Sequence, residues 1–143
     1  GLSTAAILEG VRAGHTVVKL QGPDDPMIDL RIGDGMTGDE VFVSEGEIVA
    51  TITGGDGATF ILLRDGKEYA RADVTGGSFE FRAPLTESGR YRAEVHVAGE
   101  PRTITNNLWV SLVARPEGCG CTGGGSVAMA FLALLIFIRK SSN

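Results

Sequence analysis

Apolar and polar positions alternate with two different periods along the chain. Over Leu2–Ala13, Ile7, Leu8 and Val11 fall on one stripe at helical spacing. Ser3 or Thr4 is placed to cap such a helix and Gly14 to stop it. Thr16–Leu20 (TVVKL) reads as a strand, and Gly22-Pro23-Asp24-Asp25-Pro26 then interrupts any regular element and marks a boundary. From Met27 to Val113 the period is two. Ile28, Leu30 and Ile32 alternate with Asp29 and Arg31, and Ile48, Ala50 and Ile52 with Glu47, Val49 and Thr51. Runs 59–64 and 67–74 flank Asp65-Gly66, a two-residue hairpin signal. Phe79 and Phe81, then Tyr91, Ala93, Val95 and Val97, then Leu108, Val110 and Leu112 continue the alternation. About seven strands in about 90 residues, separated by Gly-rich turns, predict an antiparallel β-sandwich.

Glu87-Ser88-Gly89-Arg90-Tyr91 has the spacing of a tyrosine corner, in which the phenol bonds to upstream backbone at the start of a strand. The Cys that follows two residues later in an antibody domain is Ala93 here, so the expected core is immunoglobulin-like without its disulfide.

Composition narrows the functional classes. Eleven of thirteen basic and all eighteen acidic residues lie at or before Glu117, a balance of −7 for that part. Such an acidic body excludes a nucleic-acid groove, whose affinity rests on clustered Lys and Arg. The two cysteines, Cys119 and Cys121, are too close for a disulfide framework. His15 and His96, the only histidines, lie 81 positions apart and form no metal-ligand spacing. His96 falls on the polar face of its strand and reads as solvated; His15 follows a helix-ending Gly, where an imidazole commonly bonds the last carbonyls. The Asp-rich stretches at 33–40 and 53–59 lack the alternating acids of a calcium loop and read as turns. Ser3, Ser44 and Ser88 have no nearby base, so no catalytic, cofactor-binding or metal-ligating residue is assigned to the chain.

The tail is different in kind. No residue from Gly118 to Ile138 is charged, and Val127–Ile138 is continuously apolar. Twelve residues are short for a span, and adding Gly120–Ser126 approaches the ~20 needed to cross a bilayer. Arg139 and Lys140 then act as a membrane stop and place the C-terminus on the cytoplasmic side, leaving the acidic body outside.

Cys119-Gly120-Cys121, the apolar run and Arg139-Lys140, in this order, resemble the myxobacterial C-terminal sorting signals. The resemblance implies a bacterial surface protein whose tail is cut near the Cys pair by a sorting protease, with lipid on Cys119 or Cys121.

At the other end, the segment LSTAAILEGVRAGHTVVKLQGPDDPMIDL is similar to the close of a polymerase-and-histidinol-phosphatase (PHP) metallohydrolase domain of the CehA/McbA kind. There a helix containing Ala-Ile and a later Arg-Ala-Gly leads into a strand and a Gly-Pro turn. In that family a β-rich appendix follows, its penultimate strand suited by residues 89–95 and its last by Asn106-Asn107-Leu108-Trp109-Val110. His15 stands where the family usually has Arg, and Asn107 where it has Pro. The family's divalent-metal ligands would lie upstream, and none maps onto this chain.

The chain lacks an initiator Met and opens in the body of a helix, the expectation for the C-terminal piece of a longer protein. Residues 1–22 then close an upstream metallohydrolase-like domain, 23–115 form the sandwich, and 116–143 form the sorting signal with one transmembrane helix. The expected function is a membrane-anchored, extracellular accessory module supporting the catalytic domain of the same parent chain. The alternative is a ligand- or carbohydrate-binding surface module, for which Trp109, Tyr69 and Tyr91 are the aromatic candidates.

Overall fold

The computed structural model describes residues 3–114. In chain order these form α1 (Thr4–Arg12), β1 (Val17–Lys19), β2 (Met27–Ile32), β3 (Gly35–Met36), β4 (Glu40–Val43), β5 (Glu47–Thr53), β6 (Thr59–Arg64), β7 (Lys67–Asp73), β8 (Ser78–Pro84), β9 (Gly89–Val97), β10 (Glu100–Thr105) and β11 (Leu108–Leu112). The protein is mainly β. Among the described residues no helix is long and apolar enough to cross a membrane. The expected transmembrane helix falls on 118–138, outside the described residues.

Two sheets carry the strands. The smaller has the order β3-β2-β5-β8, antiparallel throughout. The larger is built around β9, whose one edge pairs with β6 and, through it, β7. Along the other edge of β9, β10 and β11 lie end to end. β1 pairs antiparallel with β10, and β4 pairs with β11.

The alternation read from the sequence decides which faces meet. Ile28, Leu30 and Ile32 of β2 and Ile48, Ala50 and Ile52 of β5 are fully or almost fully buried against Phe60, Leu62, Tyr91, Ala93, Val95 and Leu108 of the larger sheet. Phe60 meets Phe81 across the two layers with ring centroids 4.9 Å apart. Burying a large apolar side chain is worth about 1.5–3 kcal/mol, so this shared layer is the main source of stability.

Two local expectations take definite form. Asp65 and Gly66 both have positive φ, at 49° and 80°, the backbone a tight hairpin between β6 and β7 requires. The Tyr91 hydroxyl donates to the Glu87 carbonyl over 2.7 Å while its ring is fully buried, which is the tyrosine-corner bond.

The strand inventory is larger than the pattern predicts, because β3, β4 and β10 were not expected. Nor is the larger sheet wholly antiparallel, since β4 runs parallel to β11. β1 lies ahead of the turn at 22–26, yet it joins the larger sheet through β10. That turn is tied to β10 by Asp25, which accepts from Gln21 and Gly22 backbone N–H groups at 2.6 and 3.1 Å and from Arg102 Nε at 2.7 Å. Those backbone bonds, and then the Arg102 guanidinium, hold the Asp25 carboxyl below its ordinary value.

Candidate functional site

The region that sets α1 apart from the sheets is its junction with them. Ser3 caps α1 by accepting from the Ala6 N–H at 3.2 Å, and the helix ends where Gly14 takes φ +78°. At that point the chain passes against the turn between β3 and β4. Gly38 has φ +100°, and a Cβ added there would lie 2.5 Å from the Gly14 carbonyl carbon and 2.6 Å from the Ala13 oxygen. Only two glycines permit so close a backbone approach.

Polar groups fasten the contact. Asn106 Nδ2 donates to the Gly14 carbonyl at 2.9 Å, and the Gly38 N–H donates to the Asn107 carbonyl at 2.7 Å. His15 Nε2 lies 2.8 Å from Asp39 Oδ1, while Asp39 Oδ2 accepts from the Met36 N–H at 2.9 Å. The backbone bond from Met36 and then His15 depress the Asp39 carboxyl below its ordinary value. The His15 backbone N–H donates to the Gly10 carbonyl of the helix at 2.9 Å, but its imidazole does not bond the helix carbonyls as expected and turns instead to a carboxylate on the neighbouring turn. Asn106 and Asn107, singled out only as the start of a final strand, form the other half of the junction.

The helix so fixed has no buried residue. Ile7, Leu8 and Val11 are 53%, 51% and 59% exposed, a continuous apolar stripe without a partner among the described residues.

The other sequence-selected side chains are committed elsewhere. His96 is half-buried rather than solvated, because its Nε2 lies 2.8 Å from Glu94 Oε2. Glu94, on the outward register of β9, is nevertheless buried, and also accepts from Arg92 Nη2 at 2.7 Å. Tyr91 is a core residue, and the Tyr69 hydroxyl donates to the Pro84 carbonyl at 3.2 Å. Trp109 is exposed on the outer face of β11, and Phe42, which the sequence reading passed over, is more exposed still at 62%.

Two open clefts of about 170 and 280 Å³ flank the Asp65–Gly66 turn. Their charges are largely paired: Arg90 donates to Asp65 through its N–H, and Arg64 pairs with Glu87. Among the described residues no three His, Cys, Asp or Glu side chains converge as a metal site would require. The lipidation candidates Cys119 and Cys121 and the membrane-stop residues Arg139 and Lys140 lie outside the described residues.

No family model matches the chain, and no curated protein matches it. Among solved structures, an engineered protein is 18% identical over 64% of this chain and 21% of its own, with TM-score 0.39. The sulfur carrier protein SoxY from Chlorobium limicola f thiosulfatophilum is 10% identical over 76% of this chain and 99% of its own, with TM-score 0.41. The chain thus spans about a fifth of the engineered protein's length.

Proposed function

We propose that the chain is an immunoglobulin-like accessory module that supports the catalytic domain of a PHP-type metal-dependent hydrolase at a bacterial cell surface. The observation that carries this reading is the stripe of Ile7, Leu8 and Val11, held out from the sandwich by a rigid junction and left uncovered. A nine-residue helix is marginal in water on its own, so such a stripe calls for an apolar partner. Covering the exposed halves of three such side chains contributes about 2–4 kcal/mol, enough to hold two domains in one orientation. In this reading the divalent metal and its His and Asp ligands belong to the upstream domain. The sandwich does no chemistry; it positions that domain relative to the membrane.

The tail completes the reading. Residues 116–143 direct the protein to the surface, a sorting protease cuts near the Cys pair, and lipid on Cys119 or Cys121 keeps the module at the bilayer.

The supporting role is tested in the longer parent chain with Leu8→Asp. Thermal unfolding of the parent's catalytic domain should shift downward, while unfolding of the 143-residue chain alone stays put. Equal behaviour of parent and variant would remove the docking role. The tail is tested by intact mass on protein from its native membrane, with Phe131–Asn143 expected to be absent and lipid present on one Cys. A full-length tail with two free thiols would contradict it.

A further inference from the structure

The larger sheet presents a second apolar surface, distinct from α1, at its β4–β11 edge. Leu108 and Val110 point into the core, so Trp109, Ser111 and Val113 point outward along the same strand. The parallel register sets Trp109 opposite Glu40 and Ser111 opposite Phe42, and the Val113 N–H continues the ladder to the Val43 carbonyl at 2.9 Å. Phe42, Trp109 and Val113, exposed by 62%, 38% and 45%, therefore share one outer face.

Its place along the chain says what covers it. Six residue steps separate Val113 from Cys119, which span at most about 20 Å fully extended. If the tail is held at a membrane through lipid on the Cys pair or through the apolar run, the end of β11 cannot leave the bilayer surface by more than that reach. The amphipathic indole of a tryptophan such as Trp109 settles at the level of lipid headgroups, with apolar neighbours such as Phe42 and Val113 beside it. The charges beside them are nearly balanced. Arg90, opposite Trp109 on β9, is bonded to Asp65, and Arg92 to Glu94, and among the described residues no basic cluster for anionic lipid is present on this face.

We infer that Phe42, Trp109 and Val113 rest on a zwitterionic phospholipid surface, so that the larger sheet lies against the membrane. This inference depends on the membrane-anchoring reading of the tail. It adds an orientation: the module lies along the bilayer on one sheet face instead of swinging on its tether.

Trp109 is the only tryptophan in the chain, so its fluorescence reports this contact without a label. The full chain is reconstituted in phosphatidylcholine vesicles, with and without lipid brominated near the headgroup end of its acyl chains. Contact gives a blue-shifted Trp109 emission that brominated lipid strongly quenches, and Phe42→Ser weakens the quenching while the protein still floats with the vesicles. Protein that floats with the vesicles but is not quenched overturns the inference and leaves the anchor standing. Protein that does not float overturns both. A blue shift that appears in lipid-free detergent and grows with protein concentration overturns it in favour of a second copy covering the face.

Discussion

Apolar stripes of similar composition end up buried in the sheets and bare on α1. In β2 and β5 every inward residue is at or near zero exposure, because each sheet supplies the other's partner face. In α1 the stripe is more than half exposed, and what holds the helix in place is the Ser3 cap and the Gly14–Gly38 junction rather than burial. An amphipathic pattern states that a partner is needed; it does not state that the partner lies in the same sheet or domain. The sandwich satisfies its own pattern, and α1 buries none of its residues against it.

The contrast can be broken first in the core. Tyr91→Ala should destabilise the sandwich by about 3–5 kcal/mol, read by denaturant unfolding, since it removes a fully buried ring. A loss below this range would mean that the two layers pack less tightly than their contacts imply. Gly38→Ala should cost about 1–3 kcal/mol, through a positive φ and a collision with backbone atoms of Ala13 and Gly14. Limited proteolysis should then open the chain between α1 and β1, and an unchanged cleavage pattern would show that the junction does not restrain the helix. Tyr91→Phe removes only the bond to Glu87 and should cost about 1 kcal/mol.

Acid sharpens the comparison further. Asp25 ties the boundary turn to β10 and Asp39 ties His15 to the sandwich, and both carboxyls lie below their ordinary value in the fold. A depressed carboxyl stabilises the native state above about pH 4 and loses that contribution as pH falls through its folded value. Asp25→Asn and Asp39→Asn should therefore flatten the acid limb of the stability profile while changing its slope near neutrality little. An acid limb unchanged from the unsubstituted chain in both variants would place the responsible carboxylates elsewhere. The smallest effect belongs to α1: Leu8→Ala in the 143-residue chain should change stability by less than about 0.5 kcal/mol, because that side chain is half exposed.

The sheets that alternate cleanly were legible from the residues alone, as were the Asp65–Gly66 turn and the Tyr91 corner. β10 was not, because its inward residues are Thr103 and Thr105 instead of hydrophobes. They are buried with their hydroxyls satisfied: Thr103 Oγ1 donates to the Pro26 carbonyl at 2.6 Å, and Thr105 Oγ1 accepts from the Ala93 N–H at 2.9 Å. A binary pattern reads such a strand as polar loop. β4 is four residues long and finds its partner, β11, some 70 positions away in parallel, a pairing no local signal announces. Of the junction, Gly14 was legible as a helix stop, whereas Gly38, Asp39 and Asn106 meet it only through tertiary contact. His96 was misread as solvated for the same reason, since it and Arg92 both bond the buried Glu94.

Hydrogen exchange tests the central claim most directly, comparing the 143-residue chain with the proposed parent chain that includes a catalytic domain. Amides of β5, β6 and β9 should be strongly protected in both. Amides of α1 should exchange quickly in the shorter chain and become protected in the parent, where the Ile7, Leu8 and Val11 stripe is covered. Protection of α1 that is the same in both chains would contradict the account, leaving the helix an uncovered end of the sandwich and not its bridge to a catalytic domain.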